Sequence, residues 1–154
     1  MNDVAEWRRA EAKDAIAIRE LTRAAYAKWV EVIGREPMPM VADYSAALRE
    51  HLFDLIYLRG TLAGLIETHV GLDHLLIINI AVAPDFQNRG LGKMLMAYAE
   101  AQAVALRFSE IKLYTNQRFT ENIQFYARLG YTVEREEPMN GGVAVHMRKV
   151  LTGP

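Results

Sequence analysis

The fold is decided by residues 75–93, which read L-L-I-I-N-I-A-V-A-P-D-F-Q-N-R-G-L-G-K. The apolar run that ends before Pro84 predicts a buried strand, because a near-continuous run of this kind fits a strand covered on both faces. The remainder predicts a loop that leads into a helix over residues 91–108. A helix N-terminus presents unpaired backbone N–H groups and the positive end of the helix dipole, so it suits a phosphate. Gly90 and Gly92 would let that backbone approach a ligand closely.

Two common phosphate-binding patterns do not fit this loop. A P-loop requires Ser or Thr after Gly-Lys, and here Met94 follows Gly92-Lys93. The dinucleotide pattern G-x-G-x-x-G requires a third glycine where the chain has Leu95. The pattern that does fit is Q-x-x-G-x-G after a strand that ends I-A-V-x-P.

A second segment, T-E-N-I-Q-F-Y-A-R-L-G-Y at residues 120–131, predicts a helix. Thr120 is its expected cap, and the helix is expected to end at Leu129, before Gly130. Asn122 and Tyr126 are four residues apart and therefore share one helix face. Phe125 and Leu129 share the adjacent face and are expected to be core.

Composition narrows the class of protein. The chain has 154 residues, 51% apolar and 24% charged, with a net charge of −1. This predicts a single globular domain over residues 1–154 and gives no basic footprint for nucleic acid. No apolar run is long enough to span a membrane, and the polar start of the chain predicts a cytoplasmic protein. There is no cysteine, which excludes disulfides and a cysteine nucleophile, and the four histidines show no metal-binding spacing, so no metal is expected.

The rest of the chain alternates strands and helices. Ile111 to Thr115 is the strand after the glycine-loop helix, so the two strands should be parallel neighbours, with ligands beyond their carboxyl ends. Arg59-Gly60 predicts a hairpin turn. The other predicted elements are strands at 4–9, 53–58, 61–69, 131–134 and 143–150, helices at 14–33 and 44–51, and a final hairpin through P-M-N-G-G.

The segment 34–44 has two prolines, Pro37 and Pro39, which favour an extended loop and exclude helix. It also carries two methionines, Met38 and Met40, as adaptable apolar surface. One hypothesis is that these four residues wall a substrate site. The alternative is a connector whose methionines cap the core.

Together, the two motifs resemble motifs A and B of the GCN5-related N-acetyltransferases, the GNAT superfamily. The resemblance implies an α/β fold with a mixed, partly parallel twisted sheet flanked by helices. It implies acetyl-CoA as co-substrate and a small-molecule or peptide amine as acceptor, while the charge and hydropathy of the chain predict no nucleic-acid or membrane partner. It is also compatible with a homodimer. The pyrophosphate would bind to the backbone of the loop, and the pantetheine arm to the central strand. The loop residues concerned are Gln87, Asn88, Arg89, Gly90, Leu91, Gly92 and Lys93, and those of the strand are Ile80, Ala81 and Val82.

The resemblance also implies catalytic roles. The Ile80 N–H would face the thioester carbonyl as an oxyanion donor. Asn122 and Tyr126 would lie at the cofactor, with the Tyr126 hydroxyl as the acid for the departing thiolate. A buried Asn79 is consistent with a β-bulge beside Ile80.

The general base is less determined by the sequence. Glu67 is favoured because it lies on a strand that could border the central one, and His69 shares its face. His69, His74, Asp73, Asp43 and a water chain are alternatives, and a solvated sheet face would explain Glu67 and His69 equally well.

Three functions therefore compete. The first is an N-acetyltransferase that works by direct attack in a ternary complex. The second is a non-catalytic acyl-CoA-binding or regulatory domain. The third is an interaction module that binds a partner through the 34–44 loop.

Overall fold

The computed structural model describes residues 4–152 and contains one seven-stranded sheet in the order β1-β2-β3-β4-β5-β7-β6. The strands are β1 (Ala5–Arg9), β2 (Leu52–Leu58), β3 (Thr61–Val70), β4 (Leu75–Val82), β5 (Glu110–Asn116), β6 (Thr132–Met139) and β7 (Gly142–Val150). The helices are α1 (Ala15–Tyr26), α2 (Val30–Ile33), α3 (Met38–Val41), α4 (Tyr44–Glu50), α5 (Leu91–Ala105) and α6 (Thr120–Arg128). The predicted mixed α/β fold is confirmed.

The two strands that flank α5 are parallel, as predicted. β4 pairs with β5 over Leu75–Ile77 and Ile111–Leu113 alone, and the other strand pairs among the described residues are antiparallel. Both strands continue for several residues beyond this short contact. They therefore splay apart toward their carboxyl ends and leave a gap in the sheet.

A β-bulge interrupts β4 at the start of that gap. In the β3–β4 ladder Glu67 pairs with Asn79 but Thr68 pairs with Ile77, so Ile78 is the extra residue. Because side chains alternate between faces, one inserted residue reverses the alternation. Ile77 accordingly packs with the core under α5, whereas Ala81 packs with the core under α1.

The sheet separates two cores. The larger core lies against α5 and α6 and includes Leu95, Ile111 and Met147. The smaller one lies against the N-terminal helices and includes Ile18, Phe53 and Leu65. The site described below lies where both cores meet the carboxyl end of β4.

The N-terminal half differs from expectation in two places. The single helix expected at 14–33 is divided by a 3-10 turn at Ala27–Trp29, which directs Trp29 into a stack with Phe119, 4.5 Å between ring centroids. It ends at Gly34 with φ +74°, as predicted. The expectation that 34–44 contains no helix is wrong, because α3 is one helical turn. Pro37 is its N-cap and Pro39 lies in its first turn, where a missing N–H costs no hydrogen bond.

Boundaries also shift elsewhere. Helix α5 ends at Ala105 rather than residue 108. Thr120 is the first residue of α6, and its N-cap is Phe119, without a side-chain cap. Strand β6 continues through Pro138, which an edge strand tolerates, and the last turn is confined to Asn140-Gly141.

Candidate active site

The glycine loop is tied to the end of β4 through Gln87. Its Nε2 donates to the Val82 carbonyl at 3.1 Å, and its backbone N–H closes a 3-10 turn on Pro84 at 3.3 Å. Asn88 and Gly90 then take positive φ values of 64° and 82°. These two left-handed residues turn the chain sharply into α5, so consecutive amides point to one side.

The amides that follow have no partner among residues 4–152. The N–H of Met94 is the first to close on the helix, donating to Gly90 O at 3.1 Å. The N–H groups of residues 88–93 make no hydrogen bond within that part of the chain. Unpaired amides at a helix N-terminus form a cradle for an anion. The loop therefore presents amides suited to an anion, whereas the Gln87 N–H already donates to the Pro84 carbonyl.

β4 presents alternate backbone groups to the gap. Ala83 N–H donates to Ala63 O of the β3 side at 2.8 Å, and antiparallel pairing alternates along the strand. The backbone N–H and C=O of Ala81 thus face β3. The Ala81 carbonyl oxygen lies so close to Gly64 of β3 that a Cβ on that glycine would be 3.1 Å away. The backbones of Ile80 and Val82 face the gap, where the Tyr26 hydroxyl lies 3.2 Å from the Ile80 carbonyl oxygen and shares its one proton between that oxygen and Asn79 Oδ1. The Ile80 N–H has no neighbouring strand on that side, because the β4–β5 ladder ends at Ile77.

Two cavities of about 300 Å³ each meet at the gap. The first, here called the loop cavity, is lined by the central strand and the glycine loop. The second, here called the carboxylate cavity, is lined by Glu67, by the 34–44 segment and by the β6–β7 hairpin. The residues common to both are Tyr26, Ile80, Asn122 and Tyr126.

The loop cavity brings together most of the residues expected at the cofactor. Those that line it are Ile80, Ala81, Val82, Gln87, Asn88, Gly90, Leu91, Gly92, Lys93, Asn122 and Tyr126. Arg89 is not among them, and its guanidinium lies over the Phe86 ring, 5.4 Å from the centroid. Phe125 closes this wall, since a Cβ on Gly92 would lie 3.3 Å from its Cζ.

Glu67 is a buried carboxylate, only 4% exposed, that lines the carboxylate cavity. Its Oε2 lies 2.6 Å from Nδ1 of His51, a residue that sequence analysis did not single out. Burial raises the pKa of Glu67, and the hydrogen bond from His51 opposes that rise. The interpretation of Glu67 as part of a solvated sheet face is therefore wrong. His69 is exposed, and its ring contacts that of His51 edge-on at 5.3 Å between centroids.

The other candidates for a base lie elsewhere. The Asp43 carboxylate accepts the N–H of Ala46 at 3.1 Å and caps α4. Asp73 and His74 pair with each other at 2.7 Å in the turn before β4, at the end of the strand opposite Ile80. None of these three residues lines either cavity.

Tyr126 lies where the cavities meet and is only 6% exposed. Burial raises the pKa of its hydroxyl, so the phenol is protonated at neutral pH. Asn122 lies beside it on the same face of α6, as the spacing predicts. Phe125 and Leu129, expected as core, are half-buried against the larger core.

A network of side-chain hydrogen bonds surrounds Asn79, next to the β-bulge at Ile78. The sequence did not predict this network. The Tyr26 hydroxyl donates to Asn79 Oδ1 at 2.9 Å, and Asn79 Nδ2 donates to the Tyr44 hydroxyl at 3.4 Å. The Tyr44 hydroxyl in turn donates to the Pro39 carbonyl at 2.6 Å. A polar Asn79 within an apolar strand was the only sequence signal of this network, because its partners come from distant helices.

The 34–44 segment contributes to one cavity. Pro37, Met38 and Pro39 line the carboxylate cavity, and Met38 is 56% exposed. Met40 is 4% exposed and lines neither cavity, so its expected place on the surface is wrong.

Within the described residues, no group of three or more His, Asp or Glu side chains lies close enough to hold a metal ion. No helix in that part of the chain is both long and apolar enough to span a membrane.

The site thus combines unpaired loop amides, an open strand edge and a buried carboxylate. The chain belongs to the acetyltransferase (GNAT) family, whose family model matches residues 16–131. The predicted membership is thereby confirmed. No curated protein matches the sequence.

Solved structures share the fold at low identity. PaiA N-acetyltransferase from Thermoplasma acidophilum, solved in complex with coenzyme A, has a TM-score of 0.81 at 20% identity over 96% of this chain and 99% of that one. The ribosomal-protein-S18-alanine N-acetyltransferase from Escherichia coli has a TM-score of 0.79 at 20% identity, over 98% and 96%. Ard1 from Thermoplasma volcanium has a TM-score of 0.79 at 17% identity, over 96% and 98%.

Proposed function

We propose that this protein transfers an acetyl group from acetyl-CoA to a primary amine of a small molecule or peptide, by direct attack in a ternary complex. The observation that carries the proposal is the meeting of the two cavities at Ile80 and Tyr126. One cavity ends in unpaired loop amides and the other contains a buried carboxylate. Two substrates could therefore enter from different sides and react where the cavities join.

Acetyl-CoA fits the loop cavity by its chemistry. Its pyrophosphate would accept hydrogen bonds from the amides of residues 88–93, which have no other partner in the described chain. Its pantetheine amides would pair with the gap-facing backbone of Ile80 and Val82. The Thermoplasma acidophilum structure, which contains coenzyme A, supports this assignment. Bound there, acetyl-CoA would supply the thioester that the acceptor amine attacks.

Four groups of this chain would act on the reaction. The Ile80 N–H would donate to the carbonyl oxygen as negative charge develops on it. Glu67 would accept the proton that the amine must lose, directly or through one water, and His51 could pass it outward. Tyr126 would donate its phenolic proton to the departing sulfur and recover a proton from solvent. Since the chain has no cysteine, a cysteine acyl-enzyme is excluded.

The wild-type protein should bind CoA in calorimetry and release free thiol from acetyl-CoA when a panel of amines is supplied. Glu67→Gln should keep CoA affinity and lose turnover by about 10²- to 10⁴-fold, the scale of a positioned acid or base. Glu20→Gln, on the exposed face of α1, is the matched control and should be unchanged. CoA binding without thiol release toward any amine would instead identify an acyl-CoA-binding domain.

A further inference from the structure

Apart from Glu67, which lies at one end, the carboxylate cavity also contains a cation, Arg35, that has no counter-ion among residues 4–152. Arg35 directly follows Gly34, the C-cap residue of α2. Its side chain is half-buried and lines this cavity. Within residues 4–152 its guanidinium makes no ion pair and no hydrogen bond. The adjacent carboxylate of Glu36 is held by Arg23 at 2.6 Å, so it does not neutralise Arg35. A half-buried guanidinium of this kind is a ready partner for an anion.

A second donor converges on the same place. Asn116, at the carboxyl end of β5, accepts the Arg118 N–H through its side-chain oxygen at 2.9 Å. That bond fixes the amide so that its Nδ2 faces away from Arg118, and this nitrogen donates to no group in the described chain. Arg35 Nη2 and Asn116 Nδ2 each lie 3.6 Å from the point that a Cβ on Gly142 would occupy. Two donors thus face a small space above a glycine, and the Met139 carbonyl oxygen lies 3.8 Å from the same point.

The two ends of the cavity differ in chemistry. Glu67 lies on β3, and Asn116 and Gly142 lie on β5 and β7, beyond the gap beside β4. The rest of the lining is mixed, with apolar side chains such as Met38 and Phe119 and polar ones such as Tyr114 and Asn122. The reacting amine would meet Ile80 on β4, so at about 4.8 Å per strand it would lie roughly 5–10 Å from Asn116 and Gly142 across the gap. A volume of about 300 Å³ fits a short molecule between them.

We propose that the acceptor is an amine that also carries a carboxylate. The amine lies toward Glu67 and Ile80, and the carboxylate binds to Arg35 and Asn116. This inference rests on the proposed acetyl transfer and narrows its substrate class. A carboxylate satisfies both donors at once, because its two oxygens accept hydrogen bonds and neutralise the guanidinium. A free amino acid and a peptide with an acidic first residue share this chemistry.

The test is a comparison of matched acceptors. α-, β- and γ-amino acids are each assayed against their primary amides, and Glu-Ala amide is assayed against Gln-Ala amide. Converting the carboxylate to an amide lowers the pKa of a nearby amine and leaves more of it as free base. A higher kcat/KM for the acid therefore cannot be explained by a larger fraction of free-base amine. We expect kcat/KM to favour the acid by about 10- to 100-fold, the scale of a charge-assisted hydrogen bond.

Variants identify the group responsible. Arg35→Gln should remove the preference by raising the KM of the acid far more than the KM of its matched amide, while the KM of acetyl-CoA, which binds in the other cavity, changes little. Arg35→Lys should retain part of the preference. Gly142→Ala should also raise the KM of the acid, because its methyl group occupies the space where the carboxylate would bind. That methyl group would lie in ordinary van der Waals contact with both donor nitrogens, at 3.6 Å, so the fold need not change. Arg128→Gln, an exposed residue at the end of α6, is the control and should change nothing.

The outcomes are distinct. Preference for the free acid or for the Glu peptide supports the inference and identifies the source of the carboxylate. Equal use of acids and amides by the wild type, or equal effects of Arg35→Gln on both, overturns the inference and leaves acetyl transfer standing. If no amine is acetylated by a protein that binds CoA, the proposed function fails and this inference fails with it.

Discussion

His51 Nδ1 lies 2.6 Å from Glu67 Oε2, so a histidine from the end of α4 holds a carboxylate that β3 buries at the gap in the sheet. Burial disfavours the ionised carboxyl, and a hydrogen bond from the imidazole favours it. The first effect is the larger, because the pKa of Glu67 is raised overall. The pair therefore adjusts the pH at which this carboxylate becomes able to accept a proton.

The pH dependence of turnover tests this relationship. Glu67 accepts a proton only when ionised, so the rate should fall as pH drops through its pKa. Because that pKa is raised, the fall should occur at a higher pH than for an ordinary glutamate of about 4.3. His51→Ala removes the stabilising hydrogen bond and should move this limb to still higher pH, whereas His69→Ala should leave it in place. A profile that is identical in wild type and His51→Ala would show that Glu67 is not the titrating base.

The glycine loop allows two explanations of Gly92 to be separated. In the first explanation, the absence of a Cβ leaves room for a bound pyrophosphate. In the second, it leaves room for the Phe125 ring, whose Cζ would lie 3.3 Å from a Cβ at this position. Gly92→Val should lower both CoA affinity and thermal stability, since a branched side chain must displace that ring. Combining it with Phe125→Ala should restore much of the stability, but calorimetry should still find CoA affinity reduced by 100-fold or more. Recovery of CoA binding in the double variant would assign Gly92 to packing alone.

The two methionines of α3 should respond in opposite ways. Met38 lines the carboxylate cavity and is largely exposed, so Met38→Ser should raise the KM of the acceptor with little loss of stability. Met40 is buried, and Met40→Ser should lower the free energy of unfolding by about 2–5 kcal/mol, the cost of truncating a buried methionine. Denaturant unfolding and steady-state kinetics on both variants measure this contrast. Equal effects of Met38→Ser on the KM of acceptor and of acetyl-CoA would remove Met38 from the acceptor site.

The elements that could be predicted from sequence are those whose cause is local. The β4–loop–α5 unit follows from one apolar run, one proline and the spacing of Gly90 and Gly92, and the Arg59-Gly60 turn follows from two residues. α3 was missed although its cause is also local, since Pro37 and Pro39 occupy positions where helices tolerate proline.

The parts of the site that could not be predicted depend on contacts between distant segments. The hydrogen bond between His51 and Glu67 joins α4 to β3, and the one between Tyr26 and Asn79 joins α1 to β4. No periodicity or short motif encodes such a pair. Arg35, which follows α2, and Asn116, at the end of β5, likewise meet only in the fold, beside Gly142 of β7.

Tyr126 provides the test of how the leaving thiolate is protonated. Its hydroxyl lies at the junction of the cavities and is protonated at neutral pH, since an ordinary tyrosine has a pKa of about 10 and burial raises the pKa of Tyr126 further. Tyr126→Phe keeps the ring that packs near Tyr131, with centroids 6.1 Å apart, and loses only the proton donor. Stability and CoA affinity should then change by no more than about 1 kcal/mol. Turnover with acetyl-CoA should fall by roughly 10²-fold.

A second thioester separates acid catalysis by Tyr126 from simple positioning. When the thiol of a thioester has a lower pKa, its thiolate leaves without needing a proton. Tyr126→Phe should therefore slow the reaction of such a thioester much less than that of acetyl-CoA. Positioning alone would slow both thioesters alike, because both need the same alignment of the carbonyl. Single-turnover rates compare the two where chemistry limits the reaction. If Tyr126→Phe retains near-full rates with acetyl-CoA under those conditions, water protonates the thiolate and Tyr126 serves only to shape the junction of the two cavities.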